Sequence, residues 1–343
     1  MKINRCILKS YPEGKVSTNN FAFETVADMK PDLKDGQVFV QLKYLSIDPL
    51  MRTRINPKGS LIMPAMEVNK PVEGFCVANV LDSKNGDFPV GTLVTGLLPW
   101  ETAQVVPDPS TLTKLPRLDG VPSTFFLGVL GATGLTAFFA FKKLAKEHLA
   151  KRDKPVVFVS GAAGAVGNVF GQLCKTEITN CIVYGSAGSK EKVDHCTGVL
   201  GFDDAFNYKD GIATGMDAML GGKPIDLYFD NVGGAMLDEV LLRMSTGGKI
   251  LACGVMSDYD KAEEEKYRLN NCQMIVYKCL TIESFQFVQW MDEFAEGSHE
   301  LGGLLASKKI VPDETVLQGF DKATEALVGL FHGLSVGKTV VSV

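Results

Sequence analysis

The chain has 343 residues, 45% of them hydrophobic and 22% charged, with a formal net charge of -5 at neutral pH. That length exceeds one ordinary domain and fits two, and the balance describes a soluble globular protein, not a disordered or fibrous one. The mild acidity gives no reason to expect nucleic acid or an anionic membrane as partner, no apolar run approaches the ~18 residues of a membrane helix, and Met1–Ser10 lacks a signal-peptide core, so a cytosolic location is expected.

Along the chain, Val38–Leu42, Phe75–Leu81 and Thr92–Thr95 are short β-like runs separated by Pro, Gly, Asn and Asp, which predicts a largely antiparallel, barrel-like domain. After Pro122, the segment Thr124–Leu149 is long and apolar with a lysine-bearing end, and predicts a helix leading out of that domain. From Pro155 onward strands and helical patterns alternate, as a doubly wound parallel sheet requires. Its strands are predicted at Val156–Val159, Cys181–Val183, Asp226–Phe229, Lys249–Ala252 and near Lys278–Ile282; they are short and continuously apolar, which suits burial on both faces. A helix is expected around Lys322–His332 and a last strand at Lys338–Val341. That strand can return to the first domain, so the expected boundaries are 1–125 with 303–343 for one domain and 126–302 for the other. Eight scattered cysteines without a C-x-x-C pair, and only four histidines, argue against structural zinc and a disulfide framework.

The most informative stretch is Pro155-Val-Val-Phe-Val-Ser-Gly-Ala-Ala-Gly-Ala-Val-Gly167, a strand running into a glycine-rich turn that should open a helix. Such a unit sets main-chain N–H groups and the positive end of a helix dipole against a pyrophosphate. Gly164, Ala165, Val166 and Gly167 are its candidate contacts. The next strand ends in Gly185-Ser-Ala-Gly-Ser-Lys190-Glu-Lys192. An NAD site usually places an acid there for the ribose 2'-hydroxyl, whereas a small polar tip followed by lysines favours a 2'-phosphate and hence NADPH. Gly188, Ser189 and the two lysines, Lys190 and Lys192, are the candidates.

Ser160–Gly167, Gly201–Lys209 and Asp226-Leu-Tyr-Phe-Asp-Asn-Val-Gly-Gly234 together resemble the zinc-independent medium-chain reductases that saturate α,β-unsaturated carbonyls. These are the leukotriene B4 12-hydroxydehydrogenase/prostaglandin reductase, alkenal double-bond reductase and curcumin reductase group. The resemblance runs from Leu45–Arg52 through Gly254–Tyr259 to Gly333–Lys338. It implies an α/β fold, a Rossmann sheet plus a GroES-like β-barrel-type domain, NADPH as cofactor, a small enal or enone as substrate and a homodimer. There are departures. Leu50 stands where the family usually has tyrosine, Ser335 where it has asparagine, and Asp260 where Asn is common. Ile47-Asp48 and Pro71-Val-Glu73-Gly74 stand where zinc-dependent relatives carry their Cys and Gly-His-Glu ligands. Hydride transfer to a simple carbonyl without a Lewis acid is then disfavoured, while reduction of a conjugated C=C needs no metal.

Hydride addition to the β-carbon pushes negative charge onto the carbonyl oxygen, which calls for a hydrogen-bond donor. Tyr259 is the candidate, because the matching family tyrosine lies beside the nicotinamide ribose; the alternative is that it only holds that ribose. The resemblance also implies that Lys192 pairs with the 2'-phosphate, with Lys190 as a nearby alternative, and cofactor roles for Tyr208, Asn231, Cys253, Gly254, Ser257, Phe285, Phe287 and Ser335. Leu50 and Arg52 are candidate substrate contacts, Arg52 for a carboxylate. Asp48 and Glu73 receive no role. A quinone reductase of the same fold and a catalytically silent NADPH-binding protein are the rival readings.

Overall fold

The computed structural model describes residues 2–26, 32–60 and 63–343. The chain divides into two compact units, Met1–Gly128 with Glu314–Val343, and Val129–Asp313. In chain order the first unit holds β1 (Ile3–Leu8), β2 (Phe21–Val26), β3 (Val38–Ser46), the short α1 (Leu50–Arg54), β4 (Glu73–Ser83), β5 (Leu93–Pro99), β6 (Ala103–Val106) and β7 (Thr113–Lys114). The second holds α2 (Ala132–Phe139), a wider π-turn stretch over Ala140–Ala145, α3 (Lys146–Ala150), β8 (Val156–Val159), α4 (Gly167–Glu177), β9 (Ile182–Ala187) and α5 (Lys190–Gly198). It continues through β10 (Asp204–Asn207), α6 (Ile212–Leu220), β11 (Ile225–Asp230), α7 (Gly234–Arg243), β12 (Met244–Ala252), α8 (Gln273–Tyr277), β13 (Thr281–Ser284) and α9 (Phe294–Ala306). β14 (Glu314–Gln318), α10 (Ala323–Phe331) and β15 (Lys338–Ser342) then complete the first unit.

In the first unit a seven-stranded sheet runs β14-β15-β3-β4-β5-β7 with β6 also on β3, and β1 pairs with β2. Its pairings are antiparallel except β14 with β15. The core gathers Val40, Leu45, Val94, Trp100 and Leu327, so the returning C-terminal elements share it. In the second unit six parallel strands take the order β10-β9-β8-β11-β12-β13, a doubly wound sheet that reverses direction on either side of β8. β8 is buried along its whole length, as a central strand covered on both faces must be. Phe158 stacks on Tyr228 and Phe206 on one face, and Phe170 on Phe229 on the other.

Three local expectations shift. The predicted helix from Thr124 is interrupted: a 3-10 turn over Ser123–Leu127 ends at Gly128, whose φ of -117° and ψ of -112° are not helical, and the helix begins at Ala132. This break coincides with the division between the units at residue 128. The strand expected near Lys278–Ile282 begins at Thr281, because the preceding residues form α8 and Cys279 turns the chain with a φ of +50°. The sequence placed the second domain's end at residue 302, whereas residues 303–313 sit with the second unit. There α9 runs on to Ala306, Gln172 exchanges hydrogen bonds with both main-chain groups of Val311, and His195 meets Asp313 at 2.9 Å.

Candidate active site

In the second unit the strand ends of β8, β9, β11 and β12 set the stage, since ligands of open α/β sheets sit beyond the carboxyl ends where the strand order reverses. Ser160, fully buried, follows β8 directly. Its Oγ accepts the Asn231 N–H at 3.0 Å and lies 2.9 Å from the Tyr228 hydroxyl, while its carbonyl accepts Asn231 Nδ2 at 2.7 Å. Asp230, 2% exposed, accepts from the Tyr228 hydroxyl at 2.6 Å, from the Val232 N–H at 2.9 Å and from the Gly233 N–H at 2.7 Å. Burial pushes the Asp230 carboxyl upward, against these donors, which favour its charged form. This knot ties the loop after β8 to the loop after β11 and so fixes the floor of the crevice.

Above it the chain turns through Gly161, whose φ of +60° favours glycine. Gly164 donates to the Gly161 carbonyl at 2.9 Å, Ala165 lies within the turn, and Val166 caps α4. A Cβ on Gly167 would stand 2.5 Å from the Gly161 carbonyl oxygen, a main-chain atom with nowhere to retreat, so the turn closes this tightly only with glycine there. Among the described residues, the buried Oδ1 of Asn168, one residue into α4, has no hydrogen-bond partner.

At the end of β9, Ser189 caps α5 by accepting the Lys192 N–H at 3.4 Å. Lys192 is half-buried, and its ammonium has no hydrogen bond or ion pair among the described residues. Burial, then the like charge of Lys209, pulls its pKa below the ordinary lysine value. A half-buried cation beside a second cation, without an ion-pair partner among the described residues, would gain from a bound anion. Lys190 is by contrast exposed and tied to Asp194 at 2.6 Å, so it does not compete for that role. Tyr208, 42% exposed, flanks the same spot: a Cβ on Gly188 would lie 3.1 Å from its ring edge and hydroxyl. The residues therefore fit a dinucleotide carrying a 2'-phosphate. The glycine turn and the α4 N-terminus would take the pyrophosphate, and Lys192 with Tyr208 would flank the phosphorylated ribose.

The loop after β12 returns over the same strand ends. The N–H groups of Cys253 and Gly254 donate to the Asp230 carbonyl at 2.8 and 3.0 Å, and those of Met256 and Ser257 to the carbonyls of Asn231 and Val232 at 3.2 and 3.0 Å. Tyr259 Oη stands 3.6 Å from where a Cβ of Gly254 would be. Burial raises the Tyr259 pKa and a main-chain hydrogen bond from Val255 partly offsets this, so the phenol remains a donor at neutral pH. Burial likewise pushes the Cys253 thiol up to about 12, leaving it an unreactive packing group. Phe285 and Phe287 follow β13. The Phe285 ring is 8% exposed and packs on Phe229 and Trp290, so it belongs to the apolar interior of this unit, while the half-buried Phe287 stacks on Phe294.

Leu50, Arg52 and Ser335 belong to the first unit. Leu50 opens α1 half-buried, and Ser335 sits half-buried in the turn before β15. Arg52 is 8% exposed and donates to the Gly14 carbonyl at 2.7 Å, so its guanidinium anchors a neighbouring loop. Where zinc-dependent relatives carry ligands, this chain has ion pairs: Asp48 meets Lys338 at 2.6 Å and Glu73 meets Arg54 at 2.6 Å. No group of three or more His, Cys, Asp or Glu able to hold a metal occurs among the described residues. Sequence reasoning passed over Ser160, Tyr228 and Asp230 as functional supports. All three stand in the quoted motifs, but nothing in the string says that their polar atoms meet 68–70 residues apart.

Comparison with known proteins agrees with this arrangement. Residues 4–115 match the family described as N-terminal domain of oxidoreductase, and residues 165–301 the one described as zinc-binding dehydrogenase. The chain is 36% identical to the NADP(+)-dependent 2-alkenal reductase of Nicotiana tabacum, over 98% of this chain and 96% of that protein. It is 36% identical to prostaglandin reductase 1 of Mus musculus, over 97% of each. Among solved structures it is similar to CurA from Vibrio vulnificus in complex with NADPH, with a TM-score of 0.86 and 28% identity over 99% of this chain and 98% of that one. Kinship over nearly the whole length, on a fold with the same paired units, places the chain in the 2-alkenal reductase and prostaglandin reductase family of medium-chain reductases.

Proposed function

We propose that the protein reduces the conjugated C=C bond of α,β-unsaturated aldehydes and ketones with NADPH, without a metal, in the cytoplasm. The observation that carries this reading is the Tyr259 phenol, half-buried against Gly254 at the strand ends, in a chain akin throughout its length to a 2-alkenal reductase. Bound NADPH supplies the hydride that adds to the β-carbon. The electron pair of the C=C bond then moves toward the carbonyl, whose oxygen becomes an enolate oxygen, and a proton taken up from water at the α-carbon completes the saturated product. Tyr259 donates a hydrogen bond to that oxygen, and its raised pKa keeps the proton on the phenol while the charge develops. Lys192 and Ser189 orient the cofactor from the α5 end, and the Ser160–Asp230 knot holds the strand-end loops still. The protein acts as a homodimer. β13 is a sheet edge with exposed Ile282, flanked by exposed Val276, Tyr277 and Met291, and an apolar edge of this kind is satisfied by pairing with a second copy.

The test follows NADPH absorbance. Stoichiometric oxidation with 2-nonenal and none with nonanal is the expected result, and the reverse pattern refutes the assignment. Turnover of benzoquinone but not of the enal would favour quinone reduction, and NADPH binding without turnover of either would favour a silent binding protein.

A further inference from the structure

The loop that carries Tyr259 is held at its far end by one buried carboxylate. Asp238, on α7, is 3% exposed and accepts the Tyr267 hydroxyl at 2.9 Å, the Asn270 N–H at 2.9 Å, the Asn271 N–H at 2.9 Å and Asn270 Nδ2 at 3.3 Å. Its own carbonyl accepts Asn271 Nδ2 at 3.3 Å. Burial pushes this carboxyl up, but the donors outweigh it and hold the pKa below the ordinary aspartate value, so the group is a carboxylate at neutral pH. One turn earlier on the same helix, the Cβ position of Gly234 lies 2.6 Å from Ser257 Oγ and 3.6 Å from Tyr267 Cβ. The two arms of the loop therefore meet over the start of α7, with Tyr259 between them. The entry arm is fixed by the Ser257 N–H on the Val232 carbonyl, and the exit arm by Asp238. Between the arms, Asp258–Lys266 form local turns with Glu263, Glu264 and Glu265 exposed.

We propose that Asp238 is a positioning residue for the reduction: it latches the loop 257–271 onto α7 and thereby keeps the Tyr259 oxygen at Gly254. This rests on the reading of Tyr259 as the hydrogen-bond donor. Charge-assisted hydrogen bonds from four groups make a stiff anchor, and small displacements of a catalytic group are costly in rate.

The test compares full-length wild type, Asp238→Asn and Tyr267→Phe. Asn keeps the size of Asp238 but removes its charge and turns an N–H₂ toward N–H donors. The expected result for Asp238→Asn is a fall of about tenfold in kcat with 2-nonenal, an NADPH Kd within about twofold of wild type, and faster amide exchange over 258–271 with NADPH bound. Tyr267→Phe should cost about threefold in kcat, and the double variant no more than Asp238→Asn alone, because both act through one latch. Unchanged kcat, or a loss shared equally by NADPH binding and global stability, overturns the proposal. If wild type reduces no enal, the reductase reading fails by itself. The exchange of 258–271 with NADPH alone then decides the latch, with unchanged exchange overturning it.

Discussion

On the proposed cofactor site, replacing Lys192 by Ala removes the half-buried cation assigned to the 2'-phosphate. A hydrogen bond to a charged group is worth ~1.5–3 kcal/mol, and ~1.4 kcal/mol is tenfold in affinity. Lys192 is only half-buried, so solvent and salt screening favour the lower part of that range. NADPH should bind about 10- to 30-fold more weakly, while NADH, which lacks the phosphate, should change by less than about twofold. Titration of cofactor fluorescence at two ionic strengths measures both, and the NADPH penalty should shrink at high salt. Equal weakening of the two cofactors would refute the assignment.

The same residue makes a second, opposite statement. Without cofactor its pKa lies below the unfolded-chain value, because burial and then Lys209 disfavour the charged form. The cost to the folded state is therefore present below the folded pKa and disappears as the pH rises past the unfolded value of 10.5. Lys192→Met, free of NADPH, should melt at or above the wild-type temperature at neutral pH, and saturating NADPH should reverse the order.

Two further outcomes follow from the geometry. Tyr259→Phe should lower kcat with 2-nonenal by about 100- to 1,000-fold with little change in NADPH affinity, as removal of one donor to a developing oxyanion does, and any alkaline fall in wild-type rate due to this phenol should lie above pH 10. In the first unit, Lys338 is 2% exposed and meets Asp48 and the Ile47 carbonyl. Lys338→Met alone takes the cation from Asp48, which keeps the Ser46 hydroxyl and some exposure to solvent, and should cost about 2–3 kcal/mol in a denaturant melt, whereas Lys338→Met with Asp48→Leu should recover much of the loss.

Much of the architecture was legible because its signals are local. Short apolar runs mark buried parallel strands, and the glycines from Gly161 to Gly167 mark a turn that closes on its own carbonyl. The small polar tip at the end of β9, where an NAD site usually carries an acid, together with the lysines that follow it, favours NADPH. The break before Ala132 was less legible, because an apolar run hides a Gly128 whose backbone leaves the helical region where the two units divide. Arg52 looked like a ligand for a carboxylate because nothing in the sequence places the Gly14 carbonyl beside it.

By itself, then, the sequence determined the alternation of strands and helices, the dinucleotide turn, the family and the identity of the candidate donor, all of which reside in contiguous residues or in resemblance. Only the tertiary structure decided that among the described residues Lys190, unlike Lys192, has an acidic partner, that Asp230 knots two loops to Ser160, and that Asp238 bonds the far end of the loop bearing Tyr259. The physical reason is the same in each case. Desolvation and pairing depend on which polar atoms meet across tens of residues, and the order of residues along the chain does not record those meetings.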